Sequence, residues 1–251
     1  MNSPVWPVGG LDPVLEALQE QYLPQIADYD IEGLLCDARL GRSAIVSSFG
    51  AESVVLLHYV SRIVPDIDVL FIDTHKHFRA TLEYRDTVVR ALDLNLVNVE
   101  PDLAELAKED PYGSLFNIDA NMCCTLRKVF PLQDALLGYG SWVSGRKRFQ
   151  SSTRSAIPVL ERDIDKIKVN PLTLWSKHDI ENYFIEHDLP RHPLEAKGYP
   201  SIGCQPCTRT VKPGEDIRAG RWAGTPDKTE CGLHIGPDGN FARKKQEGRR
   251  G

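Results

Sequence analysis

Two cysteines stand side by side in NMCCTLRKVF, Cys123 and Cys124, with Arg127 and Lys128 close behind, and a second pair, Cys204 and Cys207, lies far downstream in GCQPCTR. Consecutive Cα atoms sit closer than an ordinary disulfide prefers, so a bridge between the two neighbours would be strained. Four thiolates can instead hold tetrahedral zinc or a [4Fe–4S] cube, and reduced cytosolic thiols favour both. Structural zinc usually draws on two CxxC-like pairs, a habit from which the adjacent pair departs. Another cysteine, Cys231, sits in KTECGLH near Lys228 and His234, cations or potential cations that raise a thiol's thiolate fraction. Cys36, among Ile31, Leu34, Leu35 and Ala38 at helical spacing, reads as a small buried hydrophobe.

Three further segments can meet an anion. In IVSSFGAESVVLLH a strand ends in Ser47, Ser48, Phe49 and Gly50 and runs into a helix, which presents backbone N–H groups and the positive helix end. It is not a Walker A loop, since GxxxxGK[ST] is absent and Glu52 stands where a phosphate-binding lysine is expected. FIDTHKHF places Asp73 and Thr74 at the carboxyl end of the next strand, where open α/β sheets bind ligands, although a helix cap accounts for the pair equally well. SGRKRFQSSTRSAIP gathers Arg146, Lys147, Arg148 and Arg154 among hydroxyls, which suits phosphate or sulfate by charge-assisted hydrogen bonds; a solvated basic loop or a nucleic-acid patch is the alternative.

The elements that must position these groups follow from periodicity. SAIVSSF, DVLFIDT, LNLVNVE and GSWVSG are short strand-like runs, and helical segments ESVVLLHYVSRI and FRATLEYRDTVVRAL separate the first three. Alternation of this kind predicts an α/β fold with a mostly parallel sheet covered by helices on both faces. CCTLRKVFPLQDALLGY reads as a helix before the fourth strand, IPVLERD and KIKVNPL as an extended pair, and SKHDIENYFIEHDLP as a helix capped by Ser176 and Asp179. Two helices, opened by Asp12 and Pro13, precede the first strand, and the chain beyond Pro190 is rich in Gly, Pro and Cys without periodicity.

With 251 residues and 41% hydrophobic side chains the chain can build one large domain. We divide it into N-terminal helices at 1–42, a nucleotide-binding α/β domain at 43–203, and a CxxC segment with a mobile tail at 204–251. A formal charge of −5 argues against wholesale attraction to nucleic acid or membrane. The amino terminus lacks a basic segment followed by a long apolar run, so a cytoplasmic protein is expected.

In combination, CC at 123, GCQPCTR at 204 and GRWAGTPDKTECGLH at 220 resemble the assimilatory sulfonucleotide reductases, and specifically the iron–sulfur adenylyl-sulfate (APS) reductases. The resemblance spans residues 43 to 235 and implies an adenine-nucleotide-hydrolase-like fold of the ATP-pyrophosphatase kind. It implies Cys123, Cys124, Cys204 and Cys207 as ligands of one [4Fe–4S] cluster. Lys128 would lie between cluster and sulfate. Ser47, Ser48, Phe49 and Gly50 would face phosphate, Asp73 and Thr74 would form the aspartate loop, and Arg146, Lys147 and Arg154 the arginine loop. Arg221 and His234 would close over the substrate. Cys231 would attack the sulfur of APS, and thioredoxin or glutaredoxin would release sulfite from the resulting S-sulfocysteine; a homo-oligomer is expected. The alternatives are reduction of the 3′-phosphorylated substrate PAPS, an ATP pyrophosphatase, and a non-catalytic zinc protein. One departure stands out: the family's DTG reads DTH here, and a positive φ at His75 would strain the loop.

Overall fold

The computed structural model describes residues 12–151, 154–222, 224, 225, 228, 230 and 232. Strands β1 (Ser43–Ser47), β2 (Asp68–Ile72), β3 (Asn95–Val99) and β4 (Ser141–Ser144) run parallel, as does β6 (Lys166–Val169) beside β4. Only the outermost strand β5 (Leu160–Asp163) is antiparallel, because it reaches β6 by a hairpin too short to cross the sheet. The resulting order is β3–β2–β1–β4–β6–β5.

Alternation along the strands sorts the two faces. Ile45, Val69, Phe71 and Val143 point into the larger core, where α3 (Ser53–Ile63), α4 (Arg79–Leu92) and α9 (Lys177–Glu186) pack. Helix α1 (Asp12–Tyr22) adds Val14 and Leu18 to that core. Ala44, Leu70, Ile72 and Trp142 point the other way, onto Leu132 and Leu136. Helices on both faces explain why β2 is buried at every position. Strand β6 is buried as well, yet carries two lysines: Lys168 pairs with Glu161 at 3.3 Å and lies 4.5 Å above the Trp142 ring, while Lys166 donates to the Tyr139 carbonyl at 2.9 Å.

Two readings from the sequence need correction. Cys36 is exposed, because α2 (Ile31–Leu35) ends one residue before it and turns its side chain outward, with the thiol 3.8 Å from the Ile63 carbonyl. The CCTLRKVFPLQDALLGY helix is not one regular helix. α7 (Ala120–Cys124) passes into a π-helical turn at Thr125–Val129 and then into α8 (Phe130–Ala135). Pro131 supplies the reason: it has no N–H, and in a regular helix its ring would meet the Arg127 carbonyl.

The chain beyond Pro190 has little regular structure but folds back on the body. His77 forms an isolated bridge with Cys204 and Thr208 one with Arg221, and Leu194, Ile202 and Trp222 are buried. Among the described residues no helix is long and apolar enough to cross a membrane.

Candidate active site

Between β1 and β4 the strand order reverses: successive connections run outward from β1 in one direction and from β4 in the other. In open α/β sheets such a switch point leaves a crevice beyond the carboxyl strand ends, and here it holds a cavity of ≈ 200 Å³. Ser47 from the end of β1, with Ser48 and Gly50 beyond it, lines one side, and Ser144 and Gly145 from the end of β4 line the other.

Cationic groups enter the cavity from three directions. Arg146, Lys147 and Arg154 come from the segment after β4, Lys128 from the π-helical turn, and Arg218 and Arg221 from the C-terminal segment. Each of the first three is matched by a carboxylate. Lys147 is almost fully buried and pairs with Glu52 at 3.0 Å; burial pulls its pKa down and Glu52 works against that shift. Arg146 pairs with Glu161. Arg154 engages Gln150 at 2.5 Å and Glu230 at 2.6 Å.

Phe49, Asp73 and Thr74 do not line this cavity. Phe49, at φ 48, turns its ring into the core against Phe71, 5.6 Å between centroids, and its N–H donates to the Ser47 hydroxyl at 3.1 Å. Asp73 and Thr74 follow β2, one strand removed from the switch point. Asp73 instead accepts the His75 N–H at 2.9 Å, which holds that histidine at φ 55, the strained geometry foreseen for a residue in glycine's place. Thr74 meets a different group: its hydroxyl lies 3.3 Å from the Cys204 sulfur. Cys231 and His234 lie outside the described residues.

Cys123, Cys124, Cys204 and Cys207 line a second, smaller pocket beside the first. Cys123 and Cys124 end α7, and Cys204 is fixed by its bridge to His77. The two sets of residues come together because Arg127, inside the π turn, donates to the Thr74 carbonyl at 3.0 Å and pairs with Asp110 at 2.7 Å, both side chains buried. Burial, with the neighbouring Cys124 next, pushes the Cys123 thiol up to about 12; burial and then Cys204 raise Cys207. At Cys204 burial acts upward too, but Lys128, the Thr74 hydroxyl and Arg221 outweigh it and bring the thiol below its ordinary value.

Among the described residues no group of three or more His, Cys, Asp or Glu side chains is arranged to hold a metal ion. A zinc ion with bonds of 2.3 Å requires sulfurs only about 3.8 Å apart, whereas a cube of four irons and four sulfides stands its ligands further apart. Three buried cysteines and the half-buried Cys207 around one pocket are a donor set that suits such a cluster. Lys128, Arg221 and Trp222 line both pockets, so the anion cavity and the cysteine pocket share a wall.

Four participants were not legible in the sequence as site residues: Glu52, Gln150, Arg218 and Glu230. Glu52 and Lys147 are far apart in the chain, and no local pattern announces their pairing. Gly203 is a fifth. A Cβ there would lie 2.4 Å from the Arg221 guanidinium, so only glycine lets that arginine lie across the backbone next to Cys204.

Residues 42–210 match the family model of the phosphoadenosine phosphosulfate reductase domain. A protein of Mesorhizobium japonicum named adenosine 5′-phosphosulfate reductase is 49% identical over 193 residues, covering 76% of this chain and 76% of its own. One of the same name from Mycolicibacterium smegmatis is 40% identical over 226 residues, covering 88% and 95%. The crystal structure of phosphoadenylyl-sulfate (PAPS) reductase from Candida auris, in complex with phosphate, is similar at a TM-score of 0.66 and 25% identity, covering 84% of this chain and 100% of that one.

Proposed function

The chain belongs to the phosphoadenosine phosphosulfate reductase family, and from that premise we propose that it reduces adenosine 5′-phosphosulfate to sulfite and AMP in sulfate assimilation. The choice of APS over PAPS follows the names of the bacterial relatives. The single observation that supports the reading most is the shared wall, in which Lys128 and Arg221 belong at once to a cavity at the switch point and to a pocket of four cysteines.

In this reading AMP would occupy the crevice with its phosphate toward Ser47, Ser48 and Gly50, and the sulfate toward Lys128 and the arginines, all of which line it. The Cys231 thiolate attacks the sulfate sulfur; an S–S bond forms, the S–O bond to the phosphate breaks, and AMP leaves with the electron pair. A dithiol of the thioredoxin or glutaredoxin class then attacks the sulfocysteine, becomes a disulfide, and releases sulfite and the Cys231 thiolate, which balances the two electrons. Lys128 and the arginines stabilise negative charge as it shifts onto the departing phosphate. Cys123, Cys124, Cys204 and Cys207 would hold a [4Fe–4S] cluster. When bound, it supplies a charged neighbour that orients Lys128 and Arg221 toward the substrate. We place the enzyme in the cytoplasm, as a homo-oligomer.

The test is intact-protein mass spectrometry of protein purified without oxygen and mixed with APS. One added SO₃ group on Cys231, removed by reduced thioredoxin and absent from Cys231→Ser, is the expected result. An adduct on Cys36, or sulfite release by the Ser variant at the wild-type rate, would sink the mechanism. PAPS in place of APS should give markedly less adduct.

A further inference from the structure

Glu230 reaches into the anion cavity, where it is one of only a few carboxylates among the cationic groups. Both of its oxygens are engaged. Oε1 accepts from Arg154 Nε at 2.7 Å and pairs with Nη2 at 2.6 Å, and Oε2 accepts from Arg218 Nη2 at 3.2 Å. The two arginines come from opposite sides: Arg154 from the segment between β4 and β5, Arg218 from the segment after Cys207. Their side chains are only 9% and 13% exposed, so the pairs are sheltered from much of the screening that makes surface ion pairs weak. Lys228 is bonded to the body of the protein as well, and Gly232 lies near it. Lys228 donates to Asn121 Oδ1 at 2.5 Å, at the start of α7. Gly232, at φ 82, is close enough that an added Cβ would lie 3.4 Å from Val129, in the π turn beside Lys128.

We propose that Glu230 is a positioning residue, whose carboxylate, bridging Arg154 and Arg218 in the anion cavity, fixes the backbone next to the Cys231 nucleophile. The inference rests on the function proposed above. Cys231 is bonded directly to Glu230, so an anchor there restricts its thiol more tightly than one anywhere else in the tail. A nucleophile must lie within about 3–3.5 Å of the reacting atom and in line with it, and a misplacement of 1 Å can cost about a hundredfold in rate. Arg154 then has two duties, one toward the substrate's anion and one toward the segment that attacks it, and its Nε and Nη2 serve the second.

Glu230→Gln keeps the side chain's length and one acceptor oxygen but removes the charge. At saturating APS it should form the Cys231 sulfo-adduct about ten- to a hundredfold more slowly, in protein that remains folded and still binds AMP. In the absence of nucleotide Cys231 should also alkylate faster with iodoacetamide than in wild type, and Arg218→Gln should reproduce both effects. Wild-type adduct and alkylation rates in Glu230→Gln would overturn the proposal. So would tighter AMP binding with an undiminished adduct rate, which would make Glu230 a competitor of the substrate rather than an anchor, or an Arg218→Gln variant that behaves as wild type. If wild type itself forms no adduct with APS, the functional reading fails, and the alkylation comparison still decides whether Glu230 anchors the segment.

Discussion

Lys128 is one turn after Cys124 in the chain, and the π-helical geometry of Thr125–Val129 lets it line both pockets while Arg127 beside it is buried in an ion pair. Its charge already acts on one sulfur, for it is the chief group that opposes burial at Cys204. A cation in that position is needed for charge on the substrate rather than for packing, so Lys128→Ala should slow adduct formation by about 10²–10³-fold, the usual cost of removing one preorganised donor. Its urea midpoint should stay at the wild-type value. A variant that loses stability and rate together would mean that Lys128 is structural. At this scale the paired cysteines and the basic run at 146–154 announce themselves as candidates by type and local grouping, Lys128 and Arg221 entered through the family resemblance, and Arg218 was not legible. Phe49 was not, since only the backbone angle decides whether a residue in that loop faces ligand or core.

At the scale of elements, local signals were read well where the determinant is local. Ser176 accepts the Asp179 N–H at 3.2 Å and Asp179 accepts the Ser176 N–H at 2.7 Å, the reciprocal cap expected at the start of α9. The π turn could not be read this way, because a helical periodicity looks the same whether or not one turn is widened. What holds that turn is distant: Asp110, at the end of α5 (Leu103–Glu109), pairs with Arg127, and its side chain is only 2% exposed. Burial acts to raise the Asp110 pKa, but the Arg127 hydrogen bond, the Leu115 N–H and nearby charge prevail and lower it. Its stabilisation is therefore complete above the unfolded carboxylate value of about 3.9 and is lost as pH falls through the depressed folded value. Asp110→Asn leaves the Arg127 charge buried without its partner and should cost about 3–5 kcal/mol near neutral pH. Urea unfolding would measure it; a loss below about 1 kcal/mol, the range of an exposed pair, would show that water reaches the site.

The parallel α/β architecture with helices on both faces was legible across the whole molecule, because strand-like and helical periods alternate along the chain. The place of the cavity was not. Strand order decides it, and the sequence alone does not show that β1 and β4 are neighbours, so the β2 loop with Asp73 looked as well placed as the β1 loop. The packing of the non-periodic chain beyond Pro190 was equally hidden, since long-range polar contacts hold it. One of these gives a test of how the segment stabilises the fold. His192 is 1% exposed; its Nδ1 accepts the Leu194 N–H at 3.1 Å, which leaves Nε2–H to donate to the Thr81 hydroxyl at 3.1 Å, on α4. Burial without a carboxylate partner lowers its pKa from 6.5 to about 4. The unfolded chain therefore binds a proton that the folded chain refuses between those two values, and folding stability must fall as pH drops through that window. The full effect, reached near pH 4, is about 3 kcal/mol; above the unfolded value the term vanishes. Urea midpoints recorded from pH 7.5 to 4 should fall more steeply for wild type than for His192→Gln, whose amide does not titrate, even though the variant starts lower for its imperfect hydrogen bonds. Parallel profiles would mean that His192 takes up its proton in the folded state, and that the segment beyond Pro190 opens before the sheet does.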